Sequence, residues 1–170
     1  MANLKPFNGI RYNPEKVGDI ATVISQPYDR VRHGLQEKYY ALNDHNVTRM
    51  IKGKEFENDN DAENVYTRAQ AFLKKWLAEG VLIREEKPAI YVYHQEFMLN
   101  GENVTRKAMI SALELARFEE GIVLPHEKTH DGPKMDRLML TRATEAYYGN
   151  IFILYPDAEN KIDAILDAAI

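Results

Sequence analysis

The chain contains no cysteine, so disulfides, thiolate zinc sites and cysteine nucleophiles are excluded. It has no apolar run approaching the roughly 20 residues that a membrane-spanning helix needs. The first residues also lack the apolar stretch of a signal peptide, which favours a cytoplasmic protein without a membrane partner. The net charge of −4, without any run of lysine and arginine, argues against nucleic-acid binding.

The composition that remains is that of a globular protein. Apolar residues make up 45% of the 170 positions and charged residues 28%, so a sizeable core and a well-solvated surface are both available. This length predicts a single domain over residues 1–170. The last predicted helix stops at Ile170 with no cap and no polar tail, which favours the N-terminal part of a longer protein.

Apolar spacing predicts four helices, at residues 34–42, 62–77, 133–147 and 162–169. The helix over 62–77 has the clearest stripe, because its apolar residues recur at steps of three and four. Asn60 or Asp61 is the expected N-cap of this helix, and Gly80 is expected to take a left-handed conformation after its end. The acidic, polar residues 53–61 before it predict a loop.

Short apolar segments predict the strands. They lie at residues 7–12, from 90 onward, at 104–115, at 122–124 and at 150–155. Asn100 and Gly101 predict a hairpin turn, since both residue types tolerate positive φ. An antiparallel hairpin mixed with helices predicts an α+β fold, with a mixed, largely antiparallel sheet and flanking helices.

An unusually polar cluster lies between the strand predicted at 122–124 and the helix predicted at 133–147. Its members are His126, Glu127, Lys128, Thr129, His130, Asp131, Lys134, Asp136 and Arg137. A strand-to-helix turn directs backbone N–H groups and the positive helix end toward an anion. Thr129, Lys134 and Arg137 could donate to a phosphate or carboxylate, and Glu127 or His126 could act as a base. The alternative is a solvated loop with a helix cap.

Residues 126–130 also match the H-E-x-x-H pattern of zinc peptidases. That chemistry requires both histidines on one helical face and a third ligand, for which Glu145 or Asp136 would have to serve. Pro125 and the Gly132–Pro133 pair favour a loop instead. We therefore predict no metal ligands and keep the zinc hydrolase as a further alternative.

A second candidate segment runs from Gln26 to Arg30. Pro27 constrains a turn that could present Asp29 rigidly, although an ordinary Asx-type turn explains the same residues. The chain has no P-loop, no G-x-G-x-x-G and no G-x-S-x-G, so these nucleotide-binding and hydrolase signatures give no support.

Four segments taken in order resemble a known family. They are residues 5–14 (KPFNGIRYNP), 26–29 (QPYD), 91–93 (YVY) and 126–129 (HEKT). Together they are similar to the prokaryotic domain-of-unknown-function family numbered 1015. Its members are longer, and their later part carries an Asp-Gly-His-His-Arg run similar to the ParB/sulfiredoxin-like fold, which includes nucleotide-using enzymes and free-serine kinases. This chain lacks that run, because Asp131–Gly132 is followed by Pro133. The resemblance therefore also implies that the chain is the N-terminal part of a longer protein.

Two hypotheses follow. The first is a nucleotide-using enzyme that acts on a small anionic or phosphorylated metabolite, with His126 or Glu127 as the base and a nucleotide with Mg²⁺ as cofactor. Its ligand-binding residues would be Arg11, Tyr28, Asp29, Thr129, Lys134 and Arg137. The second is a non-catalytic ligand-binding or assembly domain, which would pack on a further C-terminal region or on another copy in a homo-oligomer.

Overall fold

The computed structural model describes residues 2–32, 34–126 and 130–170, which form two compact units. The hairpin unit comprises Met1–Gly9, Glu86–His126 and Asn150–Ile170, and the helical unit comprises Ile10–Glu85 and Glu127–Gly149. The single domain expected over residues 1–170 stays a prediction.

The α+β class is confirmed. The helices are α1 Pro14–Val17, α2 Leu35–Leu42, α3 Thr48–Ile51, α4 Val65–Ala78, α5 Asp131–Thr144 and α6 Lys161–Ala168. The strands are β1 Leu4–Lys5, β2 Ile10–Tyr12, β3 Leu82–Arg84, β4 Tyr91–Leu99, β5 Glu102–Ile110 and β6 Ala112–Leu113. Within the described ranges, the strands form three antiparallel pairs, β1 with β6, β2 with β3 and β4 with β5. No helix of the described residues is long and apolar enough to cross a membrane.

Helix α4 is confirmed, but its predicted cap is wrong. The Asn64 side chain accepts hydrogen bonds from the backbone N–H groups of Tyr66 and Thr67, at 3.0 and 3.2 Å. Asn60 instead closes the preceding turn by accepting from Ala62 N and Glu63 N. Because the Asn60 side chain accepts from amides within the turn, it does not cap the helix. The helix begins after the turn, where Asn64 accepts from the first helical amides. Gly80 has φ +70°, in the positive region expected after the helix.

The core of the helical unit surrounds α4. Its buried members are Met50, Ala69, Leu73, Trp76, Val81, Leu82 and Leu140. Trp76 is 2% exposed, and its ring lies 5.6 Å from Phe72 and 5.5 Å from His45, between centroids. One face of α4 therefore packs against α3, α5 and β3.

The β4–β5 hairpin of the hairpin unit is confirmed. Asn100 and Gly101 have φ values of 51° and 87°, so both residues of the turn take the positive φ that a type I′ turn requires. The register runs without a break from Leu99↔Glu102 to Tyr91↔Ile110. The strand predicted over 104–115 is interrupted at Ser111, after which β6 pairs with β1.

Two predicted strands are wrong, because residues 122–124 and 150–155 have no ladder in the described structure. An apolar run becomes a strand only where a partner supplies backbone hydrogen bonds, and sequence pattern alone does not reveal that partner.

Helix α5 begins at Asp131, two positions before the predicted start. Pro133 fits there because the amides of a first helical turn have no intrahelical acceptor.

Tyr12 makes the stability of the helical unit sensitive to high pH. Its hydroxyl donates to His45 O at 2.7 Å, and its pKa is raised, first by burial and then by neighbouring Tyr148. The folded state thus holds this proton more tightly than the unfolded state, where the pKa is about 10. We expect stability to hold below about pH 10 and to fall as pH rises further. In urea unfolding above about pH 10, the free energy of unfolding of Tyr12→Phe should fall less steeply with pH than that of the wild type. Tyr147→Phe, at an exposed position, should follow the wild type.

Candidate functional site

Several contacts hold the side chain of Arg137, one of the predicted site residues. It lies in α5, and its Nη2 donates to Ile51 O at 2.8 Å. Its Nε and Nη2 also donate to Oδ2 of Asp136, at 2.9 and 2.5 Å. The guanidinium carbon lies 3.9 Å from the centroid of the Tyr28 ring, a cation–π contact. The structure thus brings together two predicted ligand residues that are far apart in the sequence.

Asp136 and Tyr66 complete this arrangement, although neither was predicted as a ligand-binding residue. The Tyr66 hydroxyl donates to Oδ1 of Asp136 at 2.9 Å, while Oδ2 accepts from Arg137. The pKa of Tyr66 is raised, first by burial and then by its hydrogen bond to Asp136. One indirect signal in the sequence was Tyr66 itself, because a tyrosine in an otherwise apolar stripe needs a partner for its hydroxyl when it is half-buried.

The pocket that Arg137 lines is very small. Residues of α3, α4, α5 and the segment after α3 line a cavity of about 20 Å³. That volume is comparable to one water molecule and excludes a metabolite. A ligand of Arg137 would therefore approach from the solvent side of this side chain, which is 27% exposed.

The start of α5 adds donors near Arg137. His130 holds the N-cap position in an extended conformation, and its side chain makes no capping hydrogen bond. Lys134 lies one turn before Arg137 on the same helix, with its Nζ 3.7 Å from Asp131 Oδ1. Residues 122–124 form no strand, so the strand-to-helix turn expected before α5 is absent from the described residues.

The other predicted ligand residues are less closely connected to Arg137. Arg11 forms an ion pair with Glu85 next to β3, and Arg137 is not among its partners within the described ranges. Asp29 is exposed in a turn that Arg30 N closes by donating to Pro27 O at 2.8 Å, so the predicted turn is present. Tyr28, next to Asp29, is the residue of this segment that reaches Arg137.

Part of the predicted cluster lies outside the described residues, namely Glu127, Lys128 and Thr129. His126 is exposed and belongs to the hairpin unit, whereas Lys134 and Arg137 belong to the helical unit. His126 lies outside any helix and His130 at a helix cap, so the two histidines do not share the helical face that zinc-peptidase chemistry needs. The described residues contain no group of three His, Asp or Glu side chains able to hold a metal ion.

A family model described as "Protein of unknown function (DUF1015)" matches residues 4–170, nearly the whole chain. No curated protein and no solved structure matches the chain.

Proposed function

The chain belongs to the DUF1015 family of proteins of unknown function, and we propose that it binds a small phosphorylated or carboxylated metabolite beside Arg137 on α5. The observation that carries the proposal is the guanidinium of Arg137, which is held by Ile51 O, by Asp136 and by the ring of Tyr28. A side chain fixed in this way loses little conformational freedom when a ligand binds.

The donors of Arg137 support an anionic ligand. A guanidinium has five N–H groups, and the described hydrogen bonds use the one on Nε and both on Nη2. The Nη1 pair has no hydrogen-bond partner within the described ranges and can donate to a ligand oxygen. Oxyanions with a planar pair of acceptors, such as carboxylate and phosphate, match this fork.

The local charges favour a small anion of modest affinity. Asp136 balances the charge of Arg137, and Asp131 lies close to Lys134. What remains is the positive end of α5, a helix of 14 residues whose first amides have no intrahelical acceptor. A phosphate placed between that helix end and Arg137 would meet backbone and side-chain donors together.

The finer form of the proposal is phosphoryl transfer from a nucleotide with Mg²⁺ to the bound metabolite. In this form Glu127 is the base, Arg11 and Thr129 are additional donors to the anion, and Asp29 orients the substrate or the ion. It is supported by the concentration of acid, base and donor residues in one sequence segment beside α5. A non-catalytic binding protein would need only Tyr28, Lys134 and Arg137.

Thermal unfolding of the full chain with inorganic phosphate, phosphoserine or ATP with Mg²⁺ tests the binding. A ligand at ten times its dissociation constant should stabilise the wild type by about 1.4 kcal/mol, which raises the Tm by a few degrees. We expect Arg137→Ala to raise the dissociation constant of that ligand about tenfold or more, since a charged hydrogen bond is lost. Arg137→Lys should recover only part of the affinity, because lysine retains the charge but not the planar pair of N–H donors.

Arg142→Ala is the matched control, since Arg142 is exposed on the same helix. Each variant is compared with its own unliganded Tm, so that a change in stability does not pass for a change in binding. A wild type unaffected by all three ligands, or equal losses for Arg137→Ala and Arg142→Ala, would contradict the proposal. Transfer of labelled phosphate that persists in Glu127→Gln would reject the assigned base and leave the binding proposal intact.

A further inference from the structure

The outer edge of β4 is a long strand edge that the fold leaves open. In the described part of the chain, β5 is the only strand that pairs with β4, which has nine residues. Soluble proteins protect such edges with lysine, proline or a bulge, and β4 contains no lysine, arginine, proline or glycine. Tyr93, Met98 and Leu99 are 44%, 66% and 52% exposed.

The hairpin unit also has little core of its own. Among its described residues Leu166 is the only buried apolar side chain, whereas the other buried apolar residues belong to the helical unit. A two-stranded hairpin is marginally stable in water unless further strands or a helix cover it. Helix α6 contacts β5, and additional strand pairing along β4 would stabilise this unit further.

The hairpin turn determines which backbone groups point outward. In a two-residue turn the flanking residues, here Leu99 and Glu102, form a hydrogen-bonded pair. Such pairs alternate along an antiparallel ladder, so the odd-numbered residues of β4 direct their N–H and C=O groups toward β5. The even-numbered ones direct theirs to the open edge. These four are Val92, His94, Glu96 and Met98.

We propose that two copies of this chain associate through β4, edge to edge and antiparallel, in a register centred on Gln95. This register pairs every outward residue, because Val92 meets Met98 of the second copy and His94 meets its Glu96. About eight backbone hydrogen bonds form, two for each pair. The two hairpins then make one four-stranded sheet with two-fold symmetry, β5–β4–β4–β5.

The side chains of β4 are complementary to themselves in this register. His94 and Glu96 form two cross-strand pairs of an imidazole with a carboxylate, and no like charges meet. On the other face, Tyr93 lies opposite Phe97, an aromatic cross-strand pair. The neighbouring register that places Glu96 against itself would bring two carboxylates together. Charge complementarity thus selects a second copy of the same strand and one register.

The absence of cysteine makes a direct test available. At the symmetry axis the two Gln95 residues form a non-hydrogen-bonded pair with Cβ atoms about 5 Å apart, close enough for a disulfide after small adjustments. Gln95→Cys should therefore cross-link into a covalent dimer under mild oxidation. Tyr93→Cys is the matched control on the same face, because its two copies would lie about 14 Å apart along the strand.

Sedimentation equilibrium gives the second measurement. Glu96→Pro removes an N–H from the open edge, whereas Thr105→Pro removes one from the opposite edge of the same hairpin, directly across from Glu96. We expect Glu96→Pro to raise the dimer dissociation constant about tenfold or more, since symmetry removes the contact twice. Thr105→Pro should leave it unchanged, and circular dichroism would verify that both variants are folded.

Three results would overturn the proposal. The wild-type chain could sediment as a monomer at all concentrations, in which case a different chain or further residues of a longer protein would cover β4. Tyr93→Cys could cross-link as readily as Gln95→Cys, which would reject the register. Thr105→Pro could weaken the dimer as much as Glu96→Pro, which would assign the interface to another edge. Arg137 takes no part in these contacts, so ligand binding can fail without affecting this outcome.

Discussion

Trp76→Ala is expected to lower the free energy of unfolding by about 3–5 kcal/mol. Trp76 is 2% exposed and contacts the rings of Tyr12, His45 and Phe72, so its removal leaves a cavity that several side chains would have to fill. The surrounding core is built on helix and strand backbones that relax only partly, and the lost burial adds to the cost of the cavity. The free energy of unfolding of an ordinary domain is only about 5–15 kcal/mol, so a loss of this size is a large fraction of it.

Urea unfolding followed by circular dichroism is the appropriate measurement, because the variant loses the single tryptophan and with it the fluorescence probe. Tyr147→Ala is the control, since Tyr147 is a large aromatic that is 67% exposed. We expect that variant to stay within about 0.5 kcal/mol of the wild type. A loss below about 1 kcal/mol for Trp76→Ala would contradict the central position of this residue in the core.

Asn46→Ala is expected to cost about 3 kcal/mol, although it removes little apolar surface. Asn46 is completely buried, and its Nδ2 donates to the backbone oxygens of Thr22 and Ile24, at 2.9 and 3.0 Å. Its Oδ1 accepts from Thr48 N at 3.0 Å. Alanine would leave three buried or half-buried backbone groups without this partner, and each pays a desolvation cost.

The same unfolding experiment distinguishes the contribution of the Asn46 amide donor from that of its acceptor oxygen. Asn46→Asp keeps the oxygen that accepts from Thr48 but replaces the donor with a carboxylate facing two carbonyl oxygens, so we expect a loss at least as large at neutral pH. Asn58→Ala, at an exposed position, should be nearly neutral. Wild-type stability in Asn46→Ala would mean that water satisfies all three backbone groups.

Local sequence patterns predicted the elements whose stability depends on near neighbours. The stripe that contains Trp76 predicted α4, and Asn100–Gly101 predicted the β4–β5 hairpin, because helix periodicity and turn conformation depend on residues a few positions apart. The apolar run at 150–155 was indistinguishable from a strand by the same criteria, since pairing depends on a partner distant in sequence.

For the candidate site, the sequence by itself determined which residue types are available around α5, and it excluded cysteine chemistry and any signature of a P-loop or triad hydrolase. Only the tertiary structure decided that the ring of Tyr28 contacts Arg137 and that Asp136, which accepts a hydrogen bond from Tyr66, holds the guanidinium. Hydrogen bonds and ring contacts require atoms within about 4 Å, and the path of the chain between distant segments determines which atoms come that close.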